Sequence, residues 1–306
     1  MNTPQQLHIP VLFEDTIRLL DPKKGETYLD LTAGYGGHAK GIIARIGSAS
    51  LATLCDRDQF AINNLMGLKE QGATLIHSDY LSAVKQLAAD GKAFDMILLD
   101  LGVSSVQLDR ADRGFSFIHD GPLDMRMDQE QELTAADIVN KYPEREIIRI
   151  FENYGEMSVR ESAKVARSIV IRRKKQPFHD TLDLSEVIRV SIGELDHGKY
   201  HKVHPATRAF QALRIAVNDE LGQLQQTLSL LNRVLNPGGR LAIISFHSLE
   251  DRMVKNYMRD NSDALDVPYI TLTKKPISGD INDVSNPRAR SAKLRAVLKN
   301  KNNRKE

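Results

Sequence analysis

Tyr28-Leu29-Asp30-Leu31-Thr32-Ala33-Gly34-Tyr35-Gly36-Gly37-His38 is the stretch that decides the fold. Tyr28 to Leu31 reads as a short apolar strand. It runs into three glycines, and His38 to Ile46 then carries helical spacing. The same strand-then-helix unit recurs downstream. Leu51 to Cys55 is a second strand before a helix over Ala61–Gln71. Thr74 to Ile76 is a third, before a helix over Ala83–Ala89, and Phe94 to Leu99 is a fourth. Short, almost continuously apolar strands alternating with helices predict a parallel sheet covered on both faces. Right-handed crossovers place all strand C-terminal ends on one edge, where such sheets bind ligands.

The rhythm breaks after Asp100. Ile147, Ile150, Phe151 and Tyr154 recur at helical spacing, as do Val159, Ala163, Ala166 and Val170, then Leu184, Val187, Ile188 and Ser191. Residues 109–204 are therefore expected to form an all-helical insertion. The α/β pattern then resumes. An apolar stripe from Ala209 to Leu235 suggests one long helix stopped by Asn236-Pro237-Gly238-Gly239. Leu241 to Phe246 is a fifth strand, Leu249 to Arg259 a helix, and Tyr269 to Thr273 a further strand. The expected fold class is α/β: a doubly wound, Rossmann-like sheet built from residues 1–108 and 205–306 around the helical insertion.

Composition limits the partners. Hydrophobic residues are 41% and charged residues 27% of 306, as in folded globular chains. The one cysteine, Cys55, excludes an internal disulfide. With no signal peptide in view, this points to the cytoplasm. No apolar run approaches the ~20 residues that span a bilayer, so no membrane partner is expected. The nine histidines show no metal-ligand spacing, and no metal is expected. Net charge is only +2, but from Arg288 onward there are eight Lys/Arg against one acid. A second basic run is Arg172-Arg173-Lys174-Lys175. Such patches attract phosphates even on a near-neutral chain.

The glycine loop lets a ligand approach the backbone, though a tight turn without a ligand would use the same residues. Asp56, 22 residues beyond Gly34, is placed to accept hydrogen bonds from both ribose hydroxyls of an adenosine. NAD and S-adenosylmethionine both fit this pair. The order D-x-x-x-G-x-G-G, with an acid at the strand end, suits a cationic methionine better than a pyrophosphate. Asp79-Tyr80 would border an adenine, and Asp100 ends the strand that faces the reacting group.

Several longer motifs, in order, carry a resemblance over nearly the whole chain. They include His8-Ile-Pro-Val-Leu12, Leu54-Cys-Asp56-Arg-Asp58, the run from Leu98 to Phe117, and Asp120 to Asp128. Tyr154-Gly-Glu156, His204 to Arg214, Ser245 to Arg252 and Asn286 to Arg295 follow. They resemble the bacterial 16S ribosomal RNA cytosine-N4 methyltransferases, the MraW family. The resemblance implies S-adenosylmethionine held by Gly36, Gly37, His38, Asp56, Tyr80, Asp100 and Gln107. It implies a decoding-region cytidine of 16S rRNA, in the small ribosomal subunit, as substrate. Tyr80 departs from the usual phenylalanine but keeps a flat ring. After Arg295 the chain reads Ala-Val-Leu-Lys where a glutamate is commoner.

Cytosine N4 is a poor nucleophile because its lone pair is shared with the ring. Asp100, or a backbone carbonyl of Leu101-Gly102, is placed to accept one N–H and sharpen it. The D/N-P-P-Y tetrapeptide of many DNA amino-methyltransferases is absent. Phe115, Phe117 and Phe246 are candidates for packing round an extruded base, with ordinary core packing expected for at least two of them. Arg126, His204, Arg208 and His247 are candidates for reading the base or holding phosphates. Arg288, Arg290, Lys293 and Arg295 are expected on the RNA backbone. Alternatives from other classes are a non-catalytic ribosome-assembly factor that binds RNA and a small-molecule methyltransferase. The oligomeric state, a homodimer included, is left open.

Overall fold

In a computed structural model describing residues 10–195, 204–262 and 268–301, the chain opens with α1 (Phe13–Leu20). There follow β1 (Tyr28–Asp30), α2 (Gly37–Ile46), β2 (Ala52–Asp56), α3 (Gln59–Asn64), α4 (Met66–Glu70), β3 (Thr74–His77), α5 (Tyr80–Ala89) and β4 (Phe94–Asp100). A helical stretch comes next: α6 (Ser105–Asp109), α7 (Ala135–Lys141), α8 (Glu144–Gly155), α9 (Val159–Arg173), α10 (Thr181–Leu195) and α11 (Ala206–Asn218). The last part holds α12 (Glu220–Val234), β5 (Leu235–Ser245), α13 (Ser248–Asp260), β6 (Tyr269–Thr271), β7 (Ile277–Ser278), α14 (Gly279–Asn282) and β8 (Lys293–Lys299). His8 and Ile9, which begin one of the sequence motifs, lie outside the described residues, as does the basic tail from 302 onward.

The strands order as β3-β2-β1-β4-β5-β8-β6, with β7 also pairing β8. From β3 to β5 neighbours run parallel, and β8 is antiparallel to β5, β6 and β7. This is the expected doubly wound α/β sheet with an antiparallel edge. Alternate residues of its central strands feed two cores. Met96, Leu98, Ala242 and Ile244 pack on one face with Leu20, Ile42 and Leu54. Ile97, Leu99, Leu241 and Ile243 pack on the other with Leu228, Leu231 and Val254. All four β4 residues are fully buried. Truncating any of them to alanine would cost about 2–5 kcal/mol, because a side chain buried on either face leaves a cavity.

The compact units divide at points other than those expected. Residues up to Gly102 and from Leu221 form the sheet unit, and Val103–Glu220 form the helical unit. The stripe read as one helix is two, α11 and α12, broken at Asp219, whose φ of 46° is left-handed. Ala209, Phe210, Ala212 and Leu213 of α11 join the helical core beside Ile147 and Phe151 of α8, so α11 belongs with the insertion. The helix expected over Ala61–Gln71 is likewise two short ones meeting at Leu65.

The largest correction is β8. Arg288 to Arg295 is expected on the RNA backbone, yet from Lys293 the chain enters the sheet. Leu294, Ala296 and Val297 are fully buried, and Arg295 lies opposite Ile243.

Candidate functional site

β1, β2 and β4 each end on an aspartate: Asp30, Asp56 and Asp100. Parallel pairing of β1 with both β2 and β4 brings these ends to one edge of the sheet. Asp30 is almost wholly buried. The Tyr28 hydroxyl donates to its Oδ2 at 2.7 Å and the Thr32 N–H to its Oδ1 at 3.2 Å. Asp56 receives the N–H of Gly34 on Oδ2 and that of Asp58 on Oδ1, both at 2.8 Å. Asp100 donates its own N–H to Thr32 Oγ1 at 2.7 Å. Its Oδ1 is buried and accepts no hydrogen bond among the described residues.

Burial raises the pKa of all three, because a low-dielectric surrounding disfavours the charged form. Asp30 is pushed up to about 7, with the Asp56 carboxylate adding to the effect of burial. Asp100 is pushed well above its usual value, first by burial and then by the charges of Asp30 and Glu250. His38 Nε2 lies 3.8 Å from Asp100 Oδ2, an ion pair when the ring is protonated. The His38 ring is buried and stacks on Phe13 at 5.8 Å between centroids.

The loop between β1 and α2 is shaped by glycine. Gly34 and Gly36 have φ of 52° and 77°, left-handed values that L side chains disfavour. Gly36 caps α2, so the helix N-terminus opens directly from this turn. Gly37 has a different reason to lack a side chain: a Cβ there would sit 2.5 Å from Pro10 Cγ. Asp79 caps α5 through Ser82, and Tyr80 is partly buried against the second core. The structure thus brings Gly36, Gly37, His38, Asp56 and Asp100 onto one edge of the sheet unit, and Tyr80 begins the helix after β3. Gln107 belongs to the helical unit, where its Oε1 accepts the N–H of Ser104 at 3.0 Å.

The residues expected on RNA fare unequally. Arg126 is held in place by the chain itself: Nε and Nη2 bind Asp124, and Nη1 donates to the carbonyls of Gln129 and Gln131. Arg208 pairs with Glu161. His204 accepts the Ala206 N–H and packs 4.8 Å from the ring of Phe117. Phe115 and Phe117 serve the helical core. His247 caps α13, its Nδ1 accepting the Glu250 N–H at 3.4 Å. Arg295 must be withdrawn as a phosphate contact, because it is buried and paired with Asp251 at 2.7 Å. Lys293 reaches the same carboxylate at 3.4 Å but stays partly exposed. Arg288 and Arg290 are exposed. In the other basic run, Arg172 binds Asp183 and Arg173 donates to the Val139 carbonyl. Lys174 and Lys175 are exposed.

Two site residues escaped the sequence reading. Thr32 fixes the Asp100 backbone, and Tyr28 fixes Asp30. Both lie inside the quoted stretch, and the Thr32–Asp100 link is visible only once β1 pairs β4.

Residues 5–300 match the profile of the MraW methylase family. The chain belongs to that family. It is 44% identical to the ribosomal RNA small subunit methyltransferase H of Heliobacterium mobile, over 95% of this chain and 98% of that one. The protein of the same name from Synechocystis sp. is 45% identical, over 94% and 92%. A solved rRNA methylase from Streptococcus thermophilus aligns with 96% of the chain at 9% identity and a TM-score of 0.43, too distant to add to this MraW assignment. Among the described residues no helix is long and apolar enough to cross a membrane.

Proposed function

We propose that this MraW-family chain transfers a methyl group from S-adenosylmethionine to N4 of a cytidine in the decoding region of 16S rRNA, within the small ribosomal subunit. The observation that carries the reading is the trio Asp30, Asp56 and Asp100. Three carboxyl groups meet at one sheet edge, Asp30 buried and Asp56 and Asp100 part-buried, and a positively charged ligand there would hold them in their charged form. The names of the small-subunit methyltransferase relatives support the RNA substrate.

The donor set fits this cofactor. The buried, unsatisfied Oδ1 of Asp100 is an open acceptor, and each oxygen of Asp56 keeps a second lone pair beyond its backbone bond. Gly36, Gly37, His38, Asp56, Tyr80 and Asp100 of the sheet unit would hold it, and it supplies an electrophilic methyl on a sulfonium. The chain's own work is positioning, which alone supplies a large share of a transfer rate. Asp100, or a carbonyl of Leu101-Gly102, accepts one N–H of the cytosine amine and fixes its angle. Arg288, Arg290 and Lys293 of the sheet unit hold RNA phosphates; Arg126, His204, Arg208 and His247 position the segments on which RNA docks.

The test is transfer of labelled methyl from S-adenosylmethionine to small subunits purified from cells lacking this protein, with the product nucleoside identified by mass spectrometry. N4-methylcytidine is expected. Cofactor binding with no transfer to subunits would favour a small-molecule methyltransferase. No cofactor binding would favour a non-catalytic assembly factor.

A further inference from the structure

Beside the Asp100 strand end lies a second feature with its own chemistry. A cleft of about 300 Å³ opens where β5 ends, lined by Phe246, His247, Ser248, Arg290, Ser291 and Lys293. Its location is fixed by pairing: Asp100 of β4 sits opposite Ile244 of β5, and Ser245 sits opposite Lys293 of β8. The Phe246 ring packs over Gly102, two residues past Asp100, so closely that a Cβ there would lie 3.5 Å from the ring.

The turn that carries the cations is built to hold its shape. Asn286 caps it, its side chain accepting the Arg288 N–H. Ala289 and Ala292 are buried, while Arg290 and Ser291 between them are exposed. The backbone closes through Ala289 N–H to Asn286 O at 2.9 Å, Ala292 N–H to Ala289 O at 2.9 Å and Gly279 N–H to Ala292 O at 3.0 Å. A guanidinium is thus displayed from a fixed turn, in a cleft that the Lys293 ammonium and the hydroxyls of Ser248, Ser278 and Ser291 also line. Asp280 is the one acid among the described residues that line the cleft. One flat ring, two cations and hydroxyl donors match a nucleotide: a base face against Phe246 and a phosphodiester against Arg290 and Lys293.

The geometry points to this cleft as the subsite for the phosphodiester next to the target nucleotide, held as the target base is presented at the Asp100 strand end. The inference rests on the RNA-methyltransferase reading above. It adds the one linkage that the cleft grips, distinct from diffuse attraction of RNA to a basic surface. Arg290 acts on the substrate's backbone and leaves the cofactor loop untouched.

The experiment uses the full chain with cofactor and an RNA fragment containing the target cytidine, with single uncharged methylphosphonate linkages placed in turn on either side of it. Affinity is followed against salt for wild type, Arg290→Ala, Arg290→Lys and the surface control Lys92→Ala. Arg290→Ala is expected to weaken RNA binding about tenfold and to flatten the salt slope by about 0.7–1, the signature of one lost phosphate contact. Arg290→Lys is expected to recover most of the slope, and Lys92→Ala to match wild type. One flanking methylphosphonate should weaken wild type but add nothing to Arg290→Ala, as for two changes that remove one contact. Calorimetric affinity for S-adenosylmethionine should stay within twofold in all variants. An unchanged slope in Arg290→Ala, or losses that add at every linkage, overturns the cleft while leaving the methyltransferase reading intact. Loss of affinity for cytidine monophosphate but not for RNA also overturns it. Wild type that binds neither RNA nor cofactor overturns both readings.

Discussion

The backbone N–H of Gly34 donates to Asp56 Oδ2 at 2.8 Å, tying the glycine loop after β1 to the end of β2. Asp56 therefore has a structural duty as well as the expected one of receiving ribose hydroxyls. Asp56→Ala removes a charged acceptor worth about 1.5–3 kcal/mol and frees the loop. S-adenosylmethionine affinity is expected to fall about 10- to 100-fold by calorimetry. Asp56→Asn, which keeps one carbonyl acceptor, should lose less. RNA affinity measured without cofactor should be unchanged in both, and an equal fall in RNA affinity would indicate misfolding instead.

Asp30 makes stability depend on pH. Its pKa rises from 3.8 to about 7, chiefly through burial. Between those values the fold holds a proton that the unfolded chain has released. Stability therefore falls as pH climbs through this window and levels off above it. The shift corresponds to at most ~4 kcal/mol. Asp30→Asn can still accept the Thr32 N–H through Oδ1 and can donate to the Tyr28 oxygen. The variant is expected to gain on wild type by roughly 1–4 kcal/mol between pH 5 and pH 8 in denaturant unfolding. A constant difference between the two proteins across that range would refute an elevated Asp30.

Arg295 and Arg288 separate structure from recognition within one motif. Arg295 is buried and bidentate on Asp251, while Arg288 is exposed. Breaking a buried pair by removing one partner costs about 3–5 kcal/mol, because the other charge is left uncompensated. Arg295→Ala should lower unfolding free energy by that order. Arg288→Ala should change it by no more than ~0.5 kcal/mol while weakening RNA binding at unchanged cofactor affinity. Comparable stabilities for the two variants would contradict the burial of Arg295.

These residues also mark where the sequence could be read and where it could not. The strands β1, β2 and β4 were legible because strands buried on both faces are apolar at nearly every position, as Met96-Ile97-Leu98-Leu99 is, whereas the edge strand β3, with Thr74 and His77 exposed, followed from the strand–helix rhythm. The Asp56 and Asp100 positions followed from those strands. β8 escaped because Lys293, Arg295 and Lys299 alternate with its apolar residues, and a neutralising partner such as Asp251 lies 44 residues away in sequence. The boundary of the helical unit escaped because the apolar stripe of α11 runs on into α12. The left-handed turn at Asp219 that divides them has neither glycine nor proline to announce it. Arg126 looked like a reader of bases because its carboxylate and carbonyl partners all come from its own loop, whose closure no periodicity reports.

Asp100 carries the most informative prediction, because its two candidate duties move different constants. Its backbone is fixed by the Thr32 hydroxyl, and the next residue, Leu101, donates its N–H to Ile244 O at 2.9 Å. The side chain is thus delivered to the sheet edge by β4 and β5 together, with Oδ1 open. If Oδ1 accepts the cytosine amine, the carboxylate acts chiefly in the transition state. Asp100→Asn should then lower kcat by roughly 100-fold or more, the scale seen when a preorganised polar contact is lost, with cofactor Kd changed by less than about fivefold. Burial and its acidic neighbours raise the Asp100 pKa, so wild-type kcat should climb as pH passes that value, and Asp100→Asn should flatten the profile. Thr32→Val keeps the shape but drops the oxygen that receives the Asp100 N–H. It should lower kcat more modestly, by about tenfold, again at near-constant Kd. The opposite split, a large rise in cofactor Kd with kcat preserved at saturation, would assign Asp100 to holding the cofactor and pass the amine contact to a carbonyl of Leu101 or Gly102.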